Sequence, residues 1–123
     1  MKFIKHMIPW LLMMWLLPAQ ADKNDSMKAI NQAQVLIESA VRSGAQQHAP
    51  MLLQSARDRL AQARVKQDDR DWVEAEIAAK MSQRDAEVAD AKSLHAKALK
   101  AYEDLQTTVN VLRAELERKR SQQ

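Results

Sequence analysis

The residues best suited to chemistry in this chain include two histidines, and their surroundings do not favour a metal site. His48 and His95 lie far apart in the sequence. Neither is followed three or four residues later by a second histidine or a carboxylate, the spacing that places two metal ligands on one helical face. The chain also has no cysteine. We therefore expect no metal ion and no cofactor.

A second candidate for chemistry is the set of carboxylates in the middle of the chain. The segment Asp68–Asp71 resembles the start of a calcium-binding loop, but it lacks the central glycine, and Ala79 stands at the twelfth position, where such loops have Glu. The carboxylates that follow alternate with basic residues, which is typical of a solvated helical face; they are Glu74, Glu76, Asp85 and Glu87, interleaved with Lys80 and Arg84. The single glycine excludes a phosphate-binding loop. We expect that the protein is not an enzyme.

The first 21 residues have the pattern of a secretory signal peptide. Two early lysines precede the apolar stretch 7–17, and Ala19 and Ala21 supply the small residues that signal peptidase requires. Cleavage there leaves Asp22 as the new N-terminus. The alternative is an uncleaved anchor, but the uncharged run covers 16 residues, and a membrane-spanning helix needs roughly 20. We expect export to the bacterial periplasm, with no stable membrane insertion after cleavage.

Residues 22–123 have the composition of a small, nearly neutral helical protein. They carry 17 basic and 16 acidic side chains, 18 alanines and 24 larger apolar residues. Good helix formers dominate, and the only glycine is Gly44. We therefore predict an all-α fold. Interleaved charges and only two aromatic residues, Trp72 and Tyr102, argue against binding of nucleic acid.

Two apolar stripes predict two helices of about 18 residues each, or about 27 Å. The first is expected to begin at Asp25 or Ser26, whose side chains can cap it, and to end at Gly44. The second is expected to begin at Pro50 and to end near Gln67. The stripes are Ile30, Ala33, Ile37 and Ala40 in the first helix, and Leu53, Ala56, Leu60 and Ala63 in the second.

A third, much longer helix is predicted to follow. Asp71 and Glu74 are spaced as a reciprocal N-terminal cap, with Trp72 in the first turn. Neither Gly nor Pro occurs after them, so the helix can reach about Arg118, a length of roughly 70 Å. Its first half carries small residues that allow close packing: Ala75, Ala79, Ser82, Ala86 and Ala89. We expect a short two-helix layer packed on this long helix.

The second half of the long helix carries an apolar stripe with coiled-coil spacing. We call its members the distal seam: Tyr102, Leu105, Val109, Leu112 and Leu116. Steps of three and four residues favour packing against another helix. We therefore expect residues 102–123 to form a coiled-coil-like extension of a helical domain at 22–101, and to bind a protein partner or a second copy. The alternative is that the helix breaks at Thr107–Val111 and folds back over the short helices.

The alanine pattern resembles that of the bacterial envelope family Domain of Unknown Function 4398. The similarity covers a helix, the corner from Gly44 to Pro50, a second helix, an acidic turn and an Ala-rich helix; it is carried by Ala29, Ile30, Ala33, Ala40, Gly44, Ala45, His48, Ala49, Pro50, Leu53, Ala56, Leu60, Ala63, Asp69, Trp72, Ala75, Ala79 and Ala86. The resemblance implies an Ala-rich helical module of the envelope and supplies no catalytic residues.

Together these features favour a structural or interaction module of the periplasm without enzymatic activity. A second hypothesis is a holdase-type chaperone for outer-membrane proteins, because long helices with few aromatic residues also suit that function. The two differ in their partner, which is defined in the first case and any unfolded client in the second.

Overall fold

The structure is a computed structural model that describes residues 18–123, and nearly all of these residues are helical. Helix α1 spans Pro18–Ser43, α2 Ala45–His48, α3 Pro50–Asp68 and α4 Trp72–Ser121. No strand occurs between residues 18 and 123. Both α1 and α3 pack along α4. The predicted all-α fold, a short two-helix layer on a long third helix, is confirmed.

Helices α1 and α3 pack against the first half of α4. We call this part of the molecule, α1 to α3 together with α4 as far as Ser93, the root. Helix α1 runs parallel to α4, since Lys23 lies over the ring of Trp72 and Ser43 bonds to Asp90 further along. Helix α3 runs antiparallel to α4, to which the turn at residues 69–71 connects it. The N-terminal end of α1 and the C-terminal end of α4 therefore lie at opposite ends of the molecule.

The core of this root consists mainly of alanine, which lets the helices approach closely. All five small residues predicted on α4, from Ala75 to Ala89, are fully buried. Both predicted stripes on the short helices are buried too. The larger buried side chains number four: Ile30, Ile37, Leu53 and Leu60. A core of this kind is stabilised by close contact between backbones rather than by large apolar side chains.

Helix α1 begins earlier than the sequence predicted. It is helical from Pro18, so the expected start at Asp25 or Ser26 was wrong. Ser26 lies inside the helix, fully buried, and its hydroxyl donates to the carbonyl oxygen of Lys23 at 2.8 Å. A serine hydroxyl that donates to a backbone carbonyl of the preceding turn has its hydrogen bond satisfied inside the helix, so the residue need not lie at the N-cap.

The corner between α1 and α3 contains a short helix that the sequence analysis did not predict. Gly44 ends α1 with a φ of 94°, the left-handed conformation that glycine adopts without strain. Four residues, Ala45–His48, then form α2, and Pro50 opens α3 in its first turn. A side chain at position 44 would also lie close to Lys97 of α4, whose Cε is 3.3 Å from an ideal Cβ.

The turn between α3 and α4 is built differently from the predicted cap. Asp71 occupies the N-cap position of α4, but its side chain makes no capping hydrogen bond, so the reciprocal cap with Glu74 was wrong. Its carboxylate lies 3.8 Å from the Lys66 ammonium instead. The backbone closes the turn: Asp71 N–H donates to the carbonyl of Lys66 at 2.9 Å, with Arg70 left-handed at a φ of 61°.

Helix α4 is continuous through the segment where fold-back was considered. Thr107 and Thr108 lie inside the helix, and their hydroxyls donate to the carbonyl oxygens of Glu103 and Asp104 at 3.0 and 2.9 Å. These bonds satisfy the threonine side chains without breaking the helix. Fold-back over the short helices was therefore the wrong alternative.

Candidate interaction surface

Helix α4 extends well beyond the short helices, and the last contact with the corner of the root that we describe is that of Lys97 beside Gly44. Ser93 is the last buried residue of the helix, and every residue from 101 to 123 is exposed. Helix α4 has 50 residues and is therefore about 75 Å long, of which about 40 Å lies beyond Ser93. A projecting helix of this length offers its whole circumference to a partner.

The distal seam is the apolar part of this projection. Its five side chains are between 44% and 66% exposed. They share one helical face, and a shallow groove runs along it past Gln106, Asn110 and Arg113. Such a contiguous apolar strip is uncommon on the surface of a protein that acts alone, and it is typical of an interaction site.

Three polar contacts attach the first half of α4 to the short helices. Asp85 of α4 accepts a hydrogen bond from the Ser55 hydroxyl at 2.6 Å and forms an ion pair with Arg59 at 2.9 Å, both on α3. Ser43 at the end of α1 donates to the carboxylate of Asp90. The first half of α4 is therefore tied to both short helices, and the direction of the projecting half follows from that attachment.

A second concave surface lies between α1 and α3, on the side away from α4. Ile37 and Leu60 form its floor, and Arg42, Arg57 and Arg64 line its rim, around a volume of about 500 Å³. The Arg64 guanidinium donates across it to the side-chain oxygen of Gln34 at 3.0 Å. The sequence carries no signal for this groove, because its arginines come from two helices and form no motif along the chain.

The histidines and carboxylates of the described part of the chain are dispersed or paired with basic residues. His48 ends α2 and His95 lies on α4, and both are exposed. Asp85 is engaged by Arg59, and Glu76 by Lys80 one turn further along α4. Among residues 18–123, no group of three or more His, Asp or Glu side chains could hold a metal ion.

The other predicted site residues lie at the N-terminal end and at the two corners of the root. Residues 1–17 of the predicted signal peptide lie outside the described residues, while Ala19, Ala21 and Asp22 lie in the first turns of α1. Gly44 and Pro50 form the corner around α2, and Asp71 and Trp72 open α4. From residue 18 onward, no helix has the length and hydropathy needed to cross a membrane.

Comparison with known proteins identifies one related family. The sequence model of a family described as a domain of unknown function, DUF4398, matches residues 28–105. No curated protein and no solved structure matches the chain. The matched range covers most of α1, all of α2 and α3, and α4 as far as Leu105. It includes the first two residues of the distal seam, and the other three follow it.

Proposed function

We propose that this chain, which belongs to the DUF4398 family, is a non-enzymatic interaction module of the bacterial periplasm that binds a protein partner through the distal seam of α4. The observation that carries this proposal is the exposure of that seam. Five large apolar side chains line one face of a helix that the rest of the described chain leaves uncovered. Burial of these side chains against a partner removes apolar surface from water, which is the main driving force of protein association.

The root supports this function by holding α4 in a fixed direction. Hydrogen bonds from Ser43 and Ser55 and an ion pair with Arg59 join carboxylates of α4 to both short helices. A seam on a helix that is fixed at one end loses less conformational freedom on binding than a seam on a disordered tail. The root therefore serves to present the seam.

The periplasmic location is proposed from the N-terminal sequence. The basic start, the apolar stretch and the Ala19 and Ala21 pair together form the pattern that directs export and cleavage. Expression of the full chain in a bacterium tests this. We expect the protein in the fraction released by osmotic shock, with Asp22 as its first residue. Retention in the cytoplasm with Met1 at the N-terminus would contradict it.

Site-specific photo-crosslinking in living cells tests the interaction function. A photoreactive amino acid replaces Leu105 on the seam or, as a control, Val65, which is equally apolar and 58% exposed on α3. We expect an adduct of one defined mass from position 105 and none from position 65. Absence of any adduct at 105 overturns the proposal.

The same experiment separates the interaction module from the chaperone hypothesis. A holdase captures many unfolded clients, so position 105 would then give a broad series of adducts instead of one. The purified protein would also suppress aggregation of an unfolded outer-membrane protein at a stoichiometric ratio. We expect neither result for a module with one defined partner.

A further inference from the structure

We propose that the partner of α4 is a second copy of this chain, packed parallel and in register from Val88 to Leu116. The inference rests on the proposed interaction function and names its partner. The apolar spacing of α4 does not stop at Tyr102. Steps of four and three residues continue toward the N-terminus on the face of α4 that lies opposite α1 and α3. We call the complete set the long seam: Val88, Ala91, His95, Ala98, Tyr102, Leu105, Val109, Leu112 and Leu116.

The structure leaves this entire face open. All nine residues of the long seam are exposed. The buried residues in the same part of α4 are Ala86, Ala89 and Ser93, which face α1 and α3 from the other side of the helix. A second helix can therefore lie along the long seam for about 42 Å without meeting the short helices of either copy.

The residue types on the long seam favour two strands. In coiled-coil notation the d positions are Ala91, Ala98, Leu105 and Leu112, and the a positions are Val88, His95, Tyr102, Val109 and Leu116; Val109 thus lies at a between two leucines at d. Valine at a with leucine at d is the combination that two-stranded parallel coils prefer. Charged residues stand at the next position in either direction, Arg84 before the seam and Lys119 after it. These two charged positions limit the apolar contact between two helices to residues 88–116.

The charges that flank the long seam decide the orientation. The g positions, which precede each a residue, carry only acidic charges, Glu87 and Glu115. The e positions, which follow each d residue, carry only basic charges, namely Lys92, Arg113 and Arg120. In a parallel pair each g residue faces the e residue five positions later in the partner. Glu87 then meets Lys92 and Glu115 meets Arg120 on both sides of the pair.

An antiparallel pair lacks this complementarity. It places e positions against e positions and g positions against g positions, so the charged contacts it can form along the long seam are between residues of the same sign. Like charges at flanking positions oppose pairing and are a common means of selecting orientation. The flanking charges therefore select the parallel arrangement over the antiparallel one.

The exposed leucines beside the narrow part of the long seam point to the same register. The smallest core residues, Ala91 and Ala98, surround His95, and few apolar atoms are present there. The flanking residues at this level are Leu94 at g and Leu99 at e, which are 52% and 51% exposed. In a parallel, in-register pair Leu94 faces Leu99 of the other copy. These contacts cover the part of the interface where the core residues are smallest.

Disulfide cross-linking tests both the partner and the register, because the chain has no cysteine of its own. Single variants Ala91→Cys and Leu112→Cys are purified from expressing bacteria and oxidised gently, with Val65→Cys on α3 as the control. Both seam positions are d positions about 32 Å apart. In a parallel, in-register pair each lies opposite itself, within reach of a disulfide. We expect disulfide-linked dimers from both seam variants and none from the control.

The other outcomes overturn the inference in distinguishable ways. An antiparallel pair brings a residue opposite itself only at its centre, so a dimer from one seam variant alone excludes the parallel register. No dimer from either variant excludes the parallel, in-register pair, and a dimer that forms only when the two variants are mixed indicates an antiparallel pair instead. If position 105 still forms an adduct with a different protein in cells, the proposed interaction function remains and only the second copy is wrong.

A charge exchange tests the flanking contacts independently of any cross-link. Glu87→Lys places like charges opposite Lys92 twice in each pair, and we expect the dissociation constant measured by sedimentation to rise about tenfold. The double variant Glu87→Lys with Lys92→Glu restores opposite charges and is expected to restore the original value. Residues five apart do not face each other within one helix, so rescue requires a contact between copies. Failure of the double variant to recover overturns the register.

Discussion

Ser82 of α4 donates its hydroxyl hydrogen bond to the backbone carbonyl oxygen of Ala56 in α3 at 2.6 Å, with both residues fully buried. A side chain as short as serine reaches the backbone of a neighbouring helix only where the two helices approach closely. This bond therefore marks a point where α3 and α4 approach closely. Close packing of this kind adds dispersion contacts to a core that has few large apolar residues.

Substitutions at Ser82 should separate the hydrogen bond from the packing. Ser82→Ala removes the bond but keeps the size, and we expect the free energy of unfolding to fall by about 1 kcal/mol. Ser82→Leu forces α3 away from α4, and we expect a larger loss, about 2–3 kcal/mol or more. Urea unfolding followed by circular dichroism measures both. Equal stability of the two variants would show that the helices do not approach closely at this point.

Leu60 is among the few large side chains in the root, at 5% exposure. Leu60→Ala leaves a cavity between the helices, and we expect it to lower the free energy of unfolding by about 2–5 kcal/mol. Val65→Ala, on the exposed face of the same helix, should change it by less than about 0.5 kcal/mol. The urea midpoints of the two variants provide the comparison. An unchanged midpoint for Leu60→Ala would mean that the root has another core.

Arg70 lies in the left-handed conformation between α3 and α4, which glycine adopts with less strain. We expect Arg70→Gly to raise the free energy of unfolding by about 1 kcal/mol. The same substitution in an exposed helix interior should act in the opposite direction, so Arg57→Gly in α3 is expected to cost about 1 kcal/mol. Thermal unfolding of both variants tests the difference in sign. A lower midpoint for Arg70→Gly would contradict the observed turn.

The sequence predicted those parts of the fold that depend on periodic spacing. The stripe from Ile30 to Ala40 and the small residues from Ala75 to Ala89 are buried as expected, because helical spacing places them on one face. The distal seam on α4 was recognised from the same kind of spacing.

The features that the sequence analysis missed depend on local choices between competing hydrogen bonds. Ser26 bonds to Lys23 within α1 instead of capping it, and the Asp71 carboxylate lies toward Lys66 instead of the start of α4. Arginine, the residue at position 70, is not a type that indicates a left-handed turn. The rest of the long seam was missed because Val88 and His95 lie beside the root, where only the structure distinguishes the open face from the buried one.

Replacement of His95 tests the proposed second copy through an expected increase in the affinity of the two copies for each other. At an a position in the middle of the long seam, it places two imidazoles between the helices, and polar groups there reduce the stability of a coiled coil. His95→Val supplies the residue found at Val88 and Val109, with a similar helix propensity. We expect the dissociation constant of the pair to fall about tenfold. Thermal unfolding should then depend more strongly on protein concentration, since association stabilises the folded state.

Lys100→Val is the matched control for this substitution. Lys100 is exposed on the face of α4 away from the long seam, so valine there adds apolar surface without adding to the interface. We expect its dissociation constant to stay within about twofold of the original, because exposed positions outside an interface contribute little. Equal tightening by both variants would indicate non-specific association through added apolar surface. Weaker pairing of His95→Val would mean that position 95 does not lie between the two copies.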